Sequence, residues 1–299
     1  MRSPVTVACV QAEPAILDQA ATLERLAALT AEAAAAGAEL VLFPEAFIPG
    51  YPSNRWVRFL AAGADPAARA TFARLMREAV EVPGPGCDRL SEIAKRQGVW
   101  LAVGVNERAG GTLYNSLLVH GPDGVLRRHH RKLMPTNHER LVWGMGDGSS
   151  LHTVDAGFGR VGGLICWETN MPLARFALYQ DGLEILLAPT ADDSDAWHDS
   201  MRHIAREARA YVITAEVFLR ASSHPEGVPL ADGADLMNRG GSAILGPDGG
   251  YLAGPLWDEP GILTATLDPA RLDEERQRFD PAGHYHRPDV FRLSVGRRP

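Results

Sequence analysis

The chain has 299 residues, 45% of them hydrophobic and 22% charged, with a formal net charge of −7. This is the composition of a soluble globular protein with ample core material, long enough for one large domain or two ordinary ones. The acidic balance argues against nucleic acid as a principal partner, and no apolar run approaches a membrane span or a secretory leader.

In chain order, the short apolar run "VTVACVQ" is followed by a helical pattern from about Leu17 to Ala36, closed by Gly37. "ELVLFPE" has the consecutive apolar residues of a buried strand stopped by Pro44. A loop rich in Pro and aromatic residues, "AFIPGYPSNRW", leads to helical segments up to about Val80. The helix "CDRLSEIAKRQG" then ends at Gly98 and feeds the strand "VWLAVGVNE". "TLYNSLLVHGPDGVLRRHHR" predicts a hairpin with turn chemistry at Gly-Pro-Asp-Gly. The second half repeats this vocabulary: strand "GRVGGLICWE", helix "MPLARFALYQDG", strand "LEILLAPTA", helix "AWHDSMRHIAREARA", strand "YVITAEVF" and a second hairpin, "GGSAILGPDGGYLAG". Strands and helices alternate and hairpins follow, so mixed sheets covered by helices are expected. No linker divides the chain, which predicts a single domain over residues 1–299 built of two similar halves.

Three places look like strand ends that deliver a reactive side chain. Glu45 follows "VLFP" at the core boundary, where desolvation raises a carboxyl pKa and suits it to proton transfer; a loop-solvated glutamate is the plain alternative. Lys132 ends the run Arg127-Arg128-His129-His130-Arg131-Lys132 and is one of only two lysines, with Lys95, beside 28 arginines. An ammonium can lose its proton and is a compact point charge, so a lysine kept where arginine is the habit is a catalytic candidate. Cys166 closes the apolar strand "VGGLIC", where a thiolate assisted by a cation could act as nucleophile and the following backbone N–H groups could receive charge. A free thiol without a base is a weak nucleophile, so Glu45 as base and Lys132 as cation make chemical sense together. Cys9 and Cys87 read as small buried hydrophobes. Three cysteines at unrelated spacings form no disulfide framework, which points to a reducing cytoplasm, and no pattern of metal ligands is present. Neither a P-loop nor a dinucleotide motif nor a serine nucleophile elbow is supported.

"FPEAFIPGYP", "HRKLMPTNHERLVWGMGDGS" and "GGLICWETNMPLARFALY", in this order and separation, resemble the three signature blocks of the nitrilase superfamily, and its nitrilase branch more closely than its amidase or carbamoylase branches. "APTADDSDAWHDSMRHIAREARAYV" and "GHYHRPDVFRL" extend the resemblance over nearly the whole chain. It implies a four-layer α-β-β-α sandwich and a Glu-Lys-Cys triad falling on Glu45, Lys132 and Cys166. A second glutamate falls on Glu139, for which a loop ion pair beside Arg140 is the alternative. Trp167 would lend its backbone N–H to the site, with Tyr51 as a further substrate contact, while Glu168 would be structural. Trp56, Trp143, Trp197 and Tyr51 are candidates for an aromatic pocket. Thr169-Asn170 departs from the Asn-aromatic pair common in relatives, which bears on pocket shape beside the nucleophile. The implied function is cofactor-free hydrolysis of a small organic nitrile to the acid and ammonia. Amide or carbamoyl hydrolysis is the alternative, and a non-catalytic binding protein on the same scaffold a remoter one. Family members pair through helices beside the active site. A homodimer or small even-numbered oligomer is therefore expected, the short segment after "RPDVFRL" leaving little with which to stack dimers.

Overall fold

The computed structural model describes residues 1–52, 56–224 and 235–296. The first half runs β1 (Val5–Gln11), α1 (Gln19–Ala35), β2 (Leu40–Leu42), α2 (Val57–Leu60), α3 (Pro66–Glu78), β3 (Val80–Glu81), α4 (Pro85–Gln97), β4 (Trp100–Ala109), β5 (Thr112–His120), β6 (Leu126–Arg131) and β7 (Trp143–Gly144). The second continues with β8 (Val154–Asp155), β9 (Arg160–Gly163), α5 (Pro172–Gln180), β10 (Ile185–Leu187), α6 (Asp195–Ala208), β11 (Tyr211–Thr214), β12 (Phe218–Arg220), β13 (Leu236–Leu245), β14 (Tyr251–Trp257), β15 (Gly261–Leu267) and α7 (Pro269–Arg278).

Two sheets result. One has the order β15-β1-β2-β4-β5-β6 and the other β12-β13-β11-β10-β9-β8, with β14 pairing β13. In each, three parallel strands are flanked by an antiparallel edge strand on one side and an antiparallel hairpin on the other. The topology therefore repeats, as the doubled hairpin in the sequence implies.

The central strands are buried on both faces, which is why they read as unbroken apolar runs. Val7 and Cys9 of β1, Leu40 and Leu42 of β2, Ile185 and Leu187 of β10 and Ile213 of β11 meet in one core between the sheets. Their alternating neighbours Ala8, Val10 and Val41 face α1 and α4, and Leu186 and Val212 face α5 and α6. The layers are helix, sheet, sheet, helix, as the resemblance implies. Asp18 caps α1 by accepting from Ala21 N, and Gly98 closes α4 in the left-handed conformation at φ 67°.

Several strands are shorter than their apolar runs. "ELVLFPE" forms three ladder residues before Pro44 ends it, and "YVITAEVF" splits because the chain leaves β11 to pair on the far side of β13 as β12. In "GRVGGLICWE" the named strand stops at Gly163. Parallel pairing continues through Leu164 N to Leu187 O and Cys166 N to Pro189 O, 3.0 and 2.9 Å. Beyond that, β15 returns to pair antiparallel with β1 over its full length and α7 follows, elements to which the sequence reading assigned nothing.

The cationic run is explained by strand alternation. His129 and Arg131 lie on one face and grip Glu107, the His129 Nε2 contact being 2.7 Å and the Arg131 Nε contacts 3.0 and 3.1 Å. Arg128, His130 and Lys132 lie on the other face and are buried. There Arg128 Nη2 donates to Gly163 O at 2.7 Å, tying the hairpin to the second sheet.

Candidate active site

The site lies beyond the carboxyl ends of the parallel strands, where an open α/β sheet presents its loops. Glu45 follows β2, Lys132 follows β6, and Cys166 and Thr190 follow β9 and β10. All three expected triad members are brought together and buried. Lys132 Nζ donates to Glu45 Oε1 and to Glu139 Oε2, both at 2.8 Å. Glu139 is therefore no loop ion pair beside Arg140, which instead donates to Pro135 O. Its Oε1 accepts from the Tyr51 hydroxyl at 2.7 Å, and its Oε2 also accepts from Thr136 N at 2.6 Å. Glu45 Oε1 accepts a further bond from Asn115 Nδ2 at 2.7 Å, while Oε2 is buried with no partner among the described residues.

Cys166 sits at φ 54°, a left-handed conformation uncommon for a side chain other than Gly, Asn or Asp. Thr169 Oγ1 accommodates the turn by donating to Cys166 O at 2.7 Å, and Thr190 Oγ1 donates to Cys166 Sγ at 3.0 Å. The Thr169-Asn170 departure thus braces the nucleophile's backbone, and neither residue lines the cavity that Cys166 opens into.

Electrostatics follow from burial and this geometry. Burial and the Glu45 charge push the Cys166 thiol well above its ordinary pKa, with Lys132 opposing, so the resting sulfur is protonated. Burial also pushes Glu45 up, against the pull of Lys132 and with help from Glu139. Burial disfavours the Lys132 charge, but the Glu45 and Glu139 carboxylates outweigh it and hold the ammonium on. A buried thiol thus lies within the field of a carboxylate that burial makes more basic and whose Oε2 has no partner among the described residues.

Glu168, expected to be structural, ties the loop after Lys132 to the loop at Cys166. Its carboxylate accepts from Leu133 N at 2.7 Å, beside Lys132, from Ile165 N at 2.8 Å, beside Cys166, and from His130 Nε2 at 2.8 Å. Burial pushes Glu168 up, but His130 and these amides outweigh it and hold it ionised. Burial lowers the His130 pKa, so the ring is neutral, with Nε2–H toward Glu168 and Nδ1 accepting from Ser150.

Cys166 opens into a cavity of about 390 Å³ whose lining includes Tyr51, Glu139, Trp167, Asp192, Asp193 and Asn238. Trp167 is 53% exposed and its Nε1 donates to Asp192 Oδ2 at 2.6 Å. Of the four residues considered for an aromatic pocket, only Tyr51 lines this cavity. Trp197 packs in the outer core with Nε1 on Thr214, Trp143 donates to Asn106, and Trp56 is wholly buried beside α2. Large rings supply core volume as readily as pocket wall. Asn115, Thr190, Asp192, Asp193 and Asn238 were not singled out from the sequence. The one signal was a polar residue inside an otherwise buried run, as in "LYNSLL" and "LAPT".

The chain matches the carbon–nitrogen hydrolase family over residues 6–277. It is 45% identical to an aliphatic nitrilase of Sinorhizobium fredii over 98% of this chain and 96% of that protein. It is 42% identical to nitrilase 3 of Arabidopsis thaliana over 99% and 88% of the two chains. Among solved structures, an amidase from Nesterenkonia sp. bearing acrylamide added at its active-site cysteine superimposes with a TM-score of 0.69. That match covers 92% of this chain and 97% of the amidase at 20% identity, a likeness of fold.

Proposed function

We propose a catalytic cycle from one premise: the chain belongs to the carbon–nitrogen hydrolase family and is a nitrilase, converting an organic nitrile to the carboxylic acid and ammonia. Glu45 Oε2 takes the Cys166 proton as Sγ adds to the nitrile carbon. The proton passes to the nitrile nitrogen, giving a thioimidate. Lys132 and the backbone N–H of Trp167 stabilise charge that builds during addition. Glu45 then activates a water that adds to the thioimidate carbon. The C–N bond breaks, ammonia leaves with the proton returned to it, and a thioester remains. A second water, deprotonated by Glu45, displaces Sγ and regenerates the thiol. Glu139, tied to Tyr51 and Thr136, holds the ammonium in place throughout. The observation that carries this reading is the buried Glu45–Lys132–Glu139 chain of 2.8 Å contacts, with Glu45 Oε2 unpartnered among the described residues.

The test is denaturing mass spectrometry during turnover, combined with ammonia release from aliphatic, aryl and arylacetic nitriles and their amides. An acyl adduct on the Cys166 peptide and a specificity constant higher for nitriles than for amides are expected. Cys166→Ala should abolish turnover, whereas Cys87→Ala keeps it. Adducts on another cysteine, or a general preference for amides, would overturn the reading.

The wider setting is part of the same proposal. The core between the sheets draws on both halves, which supports a single domain. Met171 and Leu173, exposed at the start of α5 beside the site, support pairing of two copies through that face, which light scattering tests. The three cysteines are free, in keeping with a reducing cytoplasm. Among the described residues no helix is long and apolar enough to cross a membrane.

A further inference from the structure

One wall of the catalytic cavity is built from the loop between β10 and α6 and from the start of β13. Thr190 Oγ1, which donates to Cys166 Sγ, accepts from Asp192 N at 3.0 Å, and the two adjacent carboxylates Asp192 and Asp193 lie two and three residues beyond it. Asp192 is tied on both oxygens, to Trp167 Nε1 at 2.6 Å and to Ser194 N at 3.1 Å. Asp193 is not. Among the described residues it accepts one hydrogen bond, from Arg239 N to Oδ2 at 3.0 Å. The third member is Asn238, only 8% exposed, which donates Nδ2 to Ala191 O at 3.1 Å and whose Oδ1 has no partner among the described residues.

Nothing described on the cavity lining balances these acceptors. The lining contains no lysine, arginine or histidine among the described residues. Lys132 is already shared between Glu45 and Glu139. The Arg239 guanidinium turns to Asp258 at 2.6 Å and stacks on Trp257 at 4.7 Å. Addition of a thiol to a nitrile carbon requires no such wall, because the reacting group is neutral. An unpartnered buried amide oxygen and an under-used carboxylate call for a donor from the ligand.

We propose that the wall formed by Asp192, Asp193 and Asn238 selects aliphatic nitriles whose far end carries an ammonium group, and rejects those ending in a carboxylate. This rests on the nitrilase reading above and adds the charge of the substrate to it. The ammonium donates to Asp193 and Asn238 Oδ1 while the nitrile carbon meets Cys166. A carboxylate in the same place faces two like charges and an acceptor. At a water-like dielectric, one charge at contact distance shifts binding about fivefold, and more in a half-buried setting. Two carboxylates acting on opposite substrate charges therefore separate the substrates by at least about tenfold.

The experiment measures kcat/KM by ammonia release for three near-isosteric nitriles: ω-aminopentanenitrile, hexanenitrile and ω-cyanobutanoate. The expected result is a cation-to-anion ratio of at least about tenfold at low salt that shrinks as ionic strength rises. Asp193→Asn loses both the attraction for the cation and the repulsion of the anion, so it should lower that ratio by more than about fivefold through KM, and Asp193→Glu should preserve it. If Asp193→Asn melts below the assay temperature, Asp193→Ser reads the same ratio. Turnover of hexanenitrile with a ratio near one, or a ratio unmoved by loss of the Asp193 charge, overturns the proposal and leaves the nitrilase reading standing. No ammonia from any nitrile overturns both.

Discussion

Lys132→Arg separates the need for a charge from the need for this particular charge. Lys132 Nζ sits 2.8 Å from both Glu45 Oε1 and Glu139 Oε2, and the side chain is fully buried. An arginine keeps the cation, so neither carboxylate is left unpaired. It is also planar and reaches about one bond, ~1.5 Å, further. In a close-packed site that extra length must displace Glu45, Glu139 or the Cys166 loop, and a displacement of about 1 Å costs on the order of a hundredfold in rate. A loss of at least that size in kcat/KM is expected from ammonia-release kinetics. Overpacking should lower stability by roughly 1–3 kcal/mol, so the fold survives in a thermal melt. Lys132→Met is the contrasting variant: it leaves two buried carboxylates without their cation, which typically destabilises by about 3–5 kcal/mol. Lys95→Arg, on the exposed face of α4, is the internal control and should match wild type. Turnover of Lys132→Arg within a few-fold of wild type would refute the assignment, because then any cation at the end of the run would serve.

The acid limb of kcat/KM should lie above the ordinary glutamate value, because burial raises Glu45 and only its ionised form takes the thiol proton; a pH profile with its limb at or below that value contradicts this. Glu168→Gln turns one acceptor oxygen into a donor facing an N–H of Ile165, Leu133 or His130, so at least a tenfold loss of rate and about 1–3 kcal/mol of stability are expected, read by kinetics and urea unfolding. Glu107 is pushed up by burial, but His129, Arg131 and Ser116 outweigh this and bring it to about 2 from 4.5. Its folded value lies below its unfolded one, so it contributes roughly 3 kcal/mol above pH ~5 that is lost as pH falls toward 2. Glu107→Gln should therefore be less stable at neutral pH and show a shallower acid dependence, and equal slopes in acid denaturation would refute the linkage.

Of the three residues proposed for the triad, Glu45 and Cys166 were legible because each ends an apolar run, and Lys132 because it is one of two lysines beside 28 arginines; each is a local feature of the sequence. The layered fold was legible for a related reason, since burial on both faces writes unbroken apolar strands. The closing strand β15 was not. "GILTATL" alternates as a half-exposed edge strand should, yet its partner β1 lies at the opposite end of the chain. The cavity wall was equally hidden, because Asp193 and Asn238 come from separate elements and acquire meaning only when Asn238 meets Ala191 O.

The run from Arg127 to Lys132 shows most clearly what sequence hides. Its residues looked like one basic cluster, but a strand sends alternate side chains to opposite faces. Arg131 pairs with Glu107 and His129 hydrogen-bonds to it on one face, while Arg128, His130 and Lys132 lie on the other, where Arg128 and His130 reach the second sheet's Gly163 and Glu168. Glu45, Lys132 and Glu139 stand on the first sheet's loops, and Cys166 and Thr190 on the second's. The proposed base and the proposed nucleophile therefore meet only across the joint between the sheets. His130 and Leu133 N reach the same Glu168 that holds Ile165 N, so one carboxylate fixes the distance between the two halves of the site. That places control of the Glu45–Cys166 approach in a residue that touches neither, and it explains why a buried, fully hydrogen-bonded glutamate follows the nucleophile so closely.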